Sequence, residues 1–143
     1  PSLMNSSTRF LLLVFLFSSL YPQSQVLSSK QWKNRVLLIM SENPNDPLVK
    51  QQVSLFSKDA EEMKERKLLL LQVFPEFYLM GGDSAIRRTS AEVYFDYKSA
   101  KKSFELVLIG LDGDEKMRRA ELIRPQDLYA IIDAMPMRRY EMN

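Results

Sequence analysis

Cysteine and histidine are both absent from this chain of 143 residues. Without cysteine there is no disulfide, no thiolate nucleophile and no thiolate ligand for a metal. Without histidine there is no Ser-His or Cys-His pair and no imidazole for a transition-metal site. Charge of one sign is also lacking. Twenty Lys and Arg stand against 18 Asp and Glu, a formal charge of +2, where nucleic-acid binding calls for a basic stripe. No repeat or low-complexity tract appears. The composition, 45% hydrophobic and 27% charged, is that of one globular domain, large enough to be stable by packing alone.

The longest apolar run is residues 10–17 (FLLLVFLF), behind Asn5, Ser6, Ser7, Thr8 and Arg9 and ahead of a polar, Pro-containing segment. As a helix it spans about 12 Å, well short of the bilayer core of about 30 Å, so it reads as a signal peptide and not as a permanent anchor. The expected organisation is a signal peptide over residues 1–24, a linker over 25–31 and a domain over 32–143. Residues 1–3, ahead of Met4, are expected to be non-native. The mature protein is expected to be secreted or periplasmic. No cysteine follows the apolar run, which excludes a bacterial lipoprotein anchor.

Within the domain, residues 35–40 (RVLLIM) form a continuous apolar run, the pattern of a strand buried on both faces. The segment 41–47 (SENPNDP) is turn chemistry, with Asp46 and Pro47 placed to start a helix. Val49, Val53, Phe56, Ala60 and Met63 then recur at helical spacing. Residues 67–74 (KLLLLQVF) predict a second buried strand, and strand-helix-strand argues a parallel unit. Gly81 and Gly82 mark a loop, and residues 90–101 a helix with Val93, Tyr94 and Tyr97 facing inward and Lys98, Lys101 and Lys102 outward. Residues 104–110 (FELVLIG) predict a third strand, Asp112-Gly113 a hairpin turn, and residues 115–121 a charged edge strand. A last helix opens at Pro125, holds Leu128, Ile131, Ile132 and Met135 on one face, and stops at Pro136. This order predicts an α/β fold of thioredoxin-like type: a three-layer sandwich with a mixed four-stranded sheet, an antiparallel C-terminal hairpin and a closing helix.

The stretches WKNRVLLIM, LVLIGLDGDEKMR and IIDAMPMRRYEM resemble those of one family, covering residues 32–142. It is a cysteine-poor domain of unknown function found in small exported bacterial proteins and in vertebrate secreted matrix proteins of the coiled-coil domain-containing and sushi-repeat-containing groups. The resemblance implies a peroxiredoxin-like structure with no established activity. The chain departs from that family at Asp114, where many relatives carry a second glycine.

In a redox-active thioredoxin-like protein the nucleophilic cysteine follows the first strand, at the N-terminus of the first helix. Ser41, Glu42, Asn43, Asn45 and Asp46 occupy that loop here. A serine hydroxyl cannot form a mixed disulfide, so thiol redox catalysis is excluded. The loop reads either as a helix cap or as a polar remnant that still binds a ligand. Asp112, Asp114 and Glu115 lack the spacing and bidentate glutamate of a calcium loop, so no metal and no cofactor is expected. Lys116, Arg118, Arg119, Arg138 and Arg139 come from the edge strand and the end of the chain. They read either as solvated charge that blocks sheet pairing or as a patch for an anionic partner. The expected function is a non-catalytic binding or interaction domain for an unknown protein or anionic glycan, without a role for nucleic acid. The alternative is a non-redox enzyme using carboxylate or lysine chemistry, which would need a polar pocket with a strongly perturbed group.

Export predicts cleavage near Ser24. Intact-mass measurement of the protein recovered from its native host should find the run 10–17 removed; a mature species that retains it overturns the assignment.

Overall fold

The computed structural model describes residues 24–82 and 85–143. The expected signal segment lies outside them, apart from Ser24. In chain order the elements are α1 (Gln25–Lys30), β1 (Arg35–Ser41), α2 (Pro47–Leu55), α3 (Ala60–Glu65), β2 (Leu68–Val73), β3 (Phe77–Met80), β4 (Ile86–Thr89), α4 (Glu92–Tyr97), β5 (Phe104–Ile109), β6 (Glu115–Arg119), α5 (Pro125–Asp133) and α6 (Pro136–Met142).

All seven residues of β1 are buried: Val36 to Met40 as their unbroken apolar run requires, and with them the polar Arg35 and Ser41 at its ends. It pairs with β2 in parallel, Leu37 opposite Leu70, and with β5 antiparallel, Leu38 opposite Val107. Alternate residues serve two cores. Leu37 and Ile39 pack with Val49, Val53 and Phe56, and with Leu128, Tyr129 and Ile132 of α5. Val36, Leu38 and Met40 pack on the opposite face with Leu27 of α1 and Val93 of α4. The result is the expected three-layer sandwich. The hairpin at Asp112-Gly113 forms as expected, with Gly113 at φ 86, a conformation that a side chain disfavours.

The sheet has six strands and not four, in the order β4-β3-β2-β1-β5-β6. The two additional strands lie where the sequence suggested a loop. Each has only four residues, and β4 (IRRT) is exposed throughout. Its strand character comes from pairing with β3 rather than from an apolar pattern. The supposed linker over 25–31 is largely helix α1, whose Leu27 enters the core. Trp32, expected to open the folded part, is 62% exposed at φ 67, and its backbone N–H donates to the Leu111 carbonyl at 2.6 Å.

The single helix expected from Val49 to Met63 is two. The N–H groups of Phe56, Ser57 and Asp59 donate to carbonyls three residues back, and Ser57 Oγ donates to the Ser54 carbonyl at 2.8 Å. This tightened, side-chain-assisted turn ends α2 although the apolar spacing runs through it. The helix at 90–101 shortens to six residues, Glu92–Tyr97. Pro136 does not end helical structure but starts α6 at its first turn, where a missing N–H costs nothing. Buried Gln52 ties α2 to the segment before α5. Its Nε2 donates to the Ile123 carbonyl and its Oε1 accepts from the Ile123 N–H, both at 2.9 Å.

On α5, Leu128 and Ile132 are fully buried and Tyr129 nearly so, whereas Ile131, and Met135 just beyond the helix, pack at the margin. Ile132→Ala should therefore destabilise by roughly 2–5 kcal/mol, the range for emptying a core position, and Ile131→Ala by less. Urea denaturation followed by circular dichroism orders the two; equal losses would place both at the same depth.

Candidate functional site

The loop after β1 closes on itself. Ser41, 1% exposed, donates from Oγ to Asp46 Oδ2 at 2.6 Å and accepts from the Asn43 N–H at 3.2 Å. Asn43 Oδ1 accepts from the Asn45 N–H at 2.9 Å, and Asp46 Oδ1 accepts from the Leu48 N–H at 2.9 Å, capping α2. These polar groups hold the turn and the helix start. Only Glu42 and Pro44 of the loop border a shallow cavity of about 220 Å³, against Phe74 and Phe77.

The five basic residues expected to share one patch are dispersed. Lys116 Nζ lies 2.7 Å from Asp112 Oδ2 at the hairpin. Arg118 forks onto Glu115 (Nε to Oε1, 2.7 Å), contacts buried Glu105, and donates to the Tyr97 carbonyl at 2.8 Å. Arg138 is 2% exposed and belongs to the interior. Arg139 is exposed on α6. Arg118 and Arg119 do come together, along a cleft of about 280 Å³ whose other wall includes Ser99, Lys101 and Lys102. Lys101 and Lys102 were legible only as a solvent-facing run; the cleft arises because the connection from α4 to β5 folds beside β6. Glu105 anchors this connection by accepting from the Ser99 N–H at 2.9 Å.

Arg138 is the centre of an ion-pair network at the opposite end of the sheet. It reaches Asp133 at 3.0 Å, Glu65 at 2.7 Å and Glu141 at 3.5 Å. Arg66 meets Asp133 at 2.8 Å and Glu62 at 2.7 Å, with its guanidinium 4.4 Å above the Tyr129 ring. Glu141 also pairs with Arg35 at 3.1 Å and Lys67 at 3.2 Å. Burial alone would raise the pKa of Asp133, but hydrogen bonds from Arg66 and Arg138 outweigh it and hold the carboxyl below its ordinary value. Burial opposes Arg35 and Lys67 at Glu141 in the same way, again with a net lowering. The Tyr129 hydroxyl, partly buried and donating to Asp59 Oδ2 at 3.1 Å, is shifted upward.

Residues 26–141 match the family described as Domain of unknown function (DUF4174). The chain belongs to this family. The DUF4174 domain is also similar in structure to "Crystal Structure of Plasmodium vivax 2-Cys Peroxiredoxin, Reduced", with a TM-score of 0.56 and 14% identity over 80% of this chain and 72% of that one. This establishes the thioredoxin-like fold and nothing of the chemistry. Among curated proteins none matches the chain. Among the described residues of the DUF4174 domain, no group of three or more acidic side chains is placed to hold a metal ion. None of its described helices is long and apolar enough to cross a membrane.

Asp133 and Glu141 give the domain an acid limit. Their folded pKa values lie below the ordinary 3.8 and 4.5. Their contribution is therefore complete above those ordinary values and is lost as pH falls through the folded ones. The urea midpoint should be flat from about pH 7 to 5 and fall below about pH 4.5. Arg138→Met should start from a lower midpoint and fall less steeply; an identical acid profile would remove Arg138 from the network's energetics.

Proposed function

We propose that this DUF4174 domain is an exported, non-catalytic binding domain whose partner is an acidic polysaccharide held along the cleft between the α4–β5 connection and β6. The observation that carries the non-catalytic reading is the closure of the Ser41–Asp46 loop. The position that would present a reactive thiolate instead presents a buried serine hydroxyl bonded to the carboxylate that caps the next helix. Among the described residues, the carboxyl groups with shifted pKa values, Asp112, Asp127, Asp133 and Glu141, are all lowered. A general acid or base working near neutral pH needs the opposite shift.

The partner follows from charge. Lys101, Lys102 and Arg119 are exposed, and among the described residues none has a carboxylate within ion-pair distance. Arg118 beside them is already committed to Glu105 and Glu115. Three uncommitted cations along one cleft suit an extended polyanion, bound weakly and with strong dependence on salt. Export is supported by the apolar run 10–17 behind Arg9, and places such a ligand in reach.

Heparin chromatography tests this reading. The wild-type chain should be retained and elute with rising salt, and the triple variant Lys101→Glu, Lys102→Glu, Arg119→Glu should elute earlier, with Arg139→Glu as the control at an exposed arginine outside the cleft. Coincident elution of wild type and triple variant overturns the cleft. Peroxide consumption with turnover, beyond stoichiometric oxidation of the eight methionines, overturns the non-catalytic reading.

A further inference from the structure

The sheet ends in two edge strands, β4 and β6, and they are protected to different degrees. At β6 an irregularity interrupts the pairing with β5 at Leu108 and Ile109, and Arg118 is committed to Glu105 and Glu115. At β4 the register with β3 is continuous from Ile86 opposite Met80 to Thr89 opposite Phe77, no proline occurs, and every residue is exposed. An edge of this kind is a template for another strand unless something blocks it.

The outward backbone groups of β4 follow from the ladder. The Ser90 N–H donates to the Glu76 carbonyl at 3.1 Å, and antiparallel partners alternate between bonded and non-bonded pairs. Ile86 and Arg88 therefore bond toward β3, and the N–H and C=O groups of Arg87 and Thr89 point away from the sheet. The side chains divide by face. Arg87 stands opposite Leu79, which packs on the core beneath α2, and Arg88 stands opposite Tyr78 of the other core. The Arg87 guanidinium lies 3.8 Å over the Phe77 ring, which holds it in place without neutralising it. Among the described residues neither arginine has a carboxylate within ion-pair distance. Lys50 of α2, exposed and likewise without such a partner among them, borders a groove with Leu79 and Ala85 beside Arg87.

We propose that β4 docks an extended acidic segment of a protein partner, which adds to the sheet as a further strand. Charge and backbone together select this occupant. A second copy is disfavoured, because the antiparallel registers that match the outward groups over most of β4 set Arg87 opposite Arg87 or Arg88 opposite Arg88. Like charges directly opposite destabilise a strand pair. A polysaccharide would meet the arginines but has no alternating N–H and C=O to offer the strand, whereas a peptide supplies both. Directly opposite residues share a face. Adjacent glutamates opposite Arg87 and Arg88, with β-branched residues opposite Ile86 and Thr89, therefore complete the match, which in an antiparallel partner reads TEEV. The edge shares no residue with the basic cleft.

Fluorescence anisotropy of the labelled peptide SVTEEVTS with the 143-residue chain tests the proposal. The peptide should bind saturably, and SVTKKVTS at least about tenfold more weakly. N-methylation of its third and fifth residues removes the donors aimed at Thr89 and Arg87 while keeping the charge, and should also weaken binding. Ile86 to Thr89 belong to neither core, so β4 accepts substitution. Arg87→Glu with Arg88→Glu should reverse the preference, so that SVTKKVTS binds the more tightly. Thr89→Pro removes an outward N–H, which an edge strand tolerates, and should weaken SVTEEVTS without moving the denaturation midpoint. Charge reversal at Lys101, Lys102 and Arg119 should leave its affinity unchanged. No saturable binding, equal binding of SVTKKVTS, or loss of binding on reversing the cleft overturns the proposal. Undiminished binding of the N-methylated peptide overturns it too, and would make β4 a site for any polyanion held by charge alone. If a β4 variant fails to fold, the peptide comparisons still decide.

Discussion

A strand buried on both faces cannot form at a surface, and β1 is such a strand over its whole length. Apolar side chains that alternate to either side demand a layer of helices above and another below, and hydrogen bonding demands a strand on each edge. Most of the architecture follows from meeting these demands. Helices α2 and α5 cover one face, α1 and α4 the other, and β2 and β5 flank it. The two ends of β1 are where polar chemistry can begin: Ser41 at one, Arg35 at the other.

Those ends are treated differently. At Ser41 the chain turns directly into a helix, and the polar groups of the turn satisfy one another over five residues of sequence. At Arg35 the partners are the Arg66 carbonyl, between α3 and β2, and the Glu141 carboxylate of α6, both distant in sequence, and Glu141 joins Arg35 to the network of Arg138, Asp133 and Arg66. Buried ion pairs of this kind add little over well-packed apolar groups, but removing one member is expensive because the remainder stays buried and unpaired. The network is thus better understood as fixing where α6 docks than as the source of stability. Docking α6 there brings Met135, Pro136 and Met137 against the hairpin and forms a cavity beside Arg35.

Much of the fold was legible. RVLLIM, LLLLQV and FELVLI appear as strands because segments with five apolar residues in six have few alternatives in a domain of this size, and Asp112-Gly113 marked its hairpin because the turn needs the glycine. The strands β3 and β4 were not legible, since four residues without alternation acquire their conformation from a neighbour across the sheet. The break after Leu55 was hidden because Phe56, Ala60 and Met63 keep helical spacing across it. The site was less legible than the fold. Arg138 and Arg139 are adjacent and identical in type, yet one is inside and the other outside.

By itself the sequence determined what chemistry is impossible and which segments must be buried. Both are properties of residue type and local periodicity: no cysteine means no thiolate in any fold, and RVLLIM is buried wherever it lies. Only the tertiary structure decided which charges are spent and which remain available. Electrostatic pairing depends on distances of a few ångströms between residues such as Arg138 and Glu65, which lie 73 positions apart, and on the exclusion of water around them. No local pattern encodes either. The same reason accounts for Lys101, Lys102 and Arg119 meeting at a cleft, and for Arg35 lying buried with a donor unpaired among the described residues.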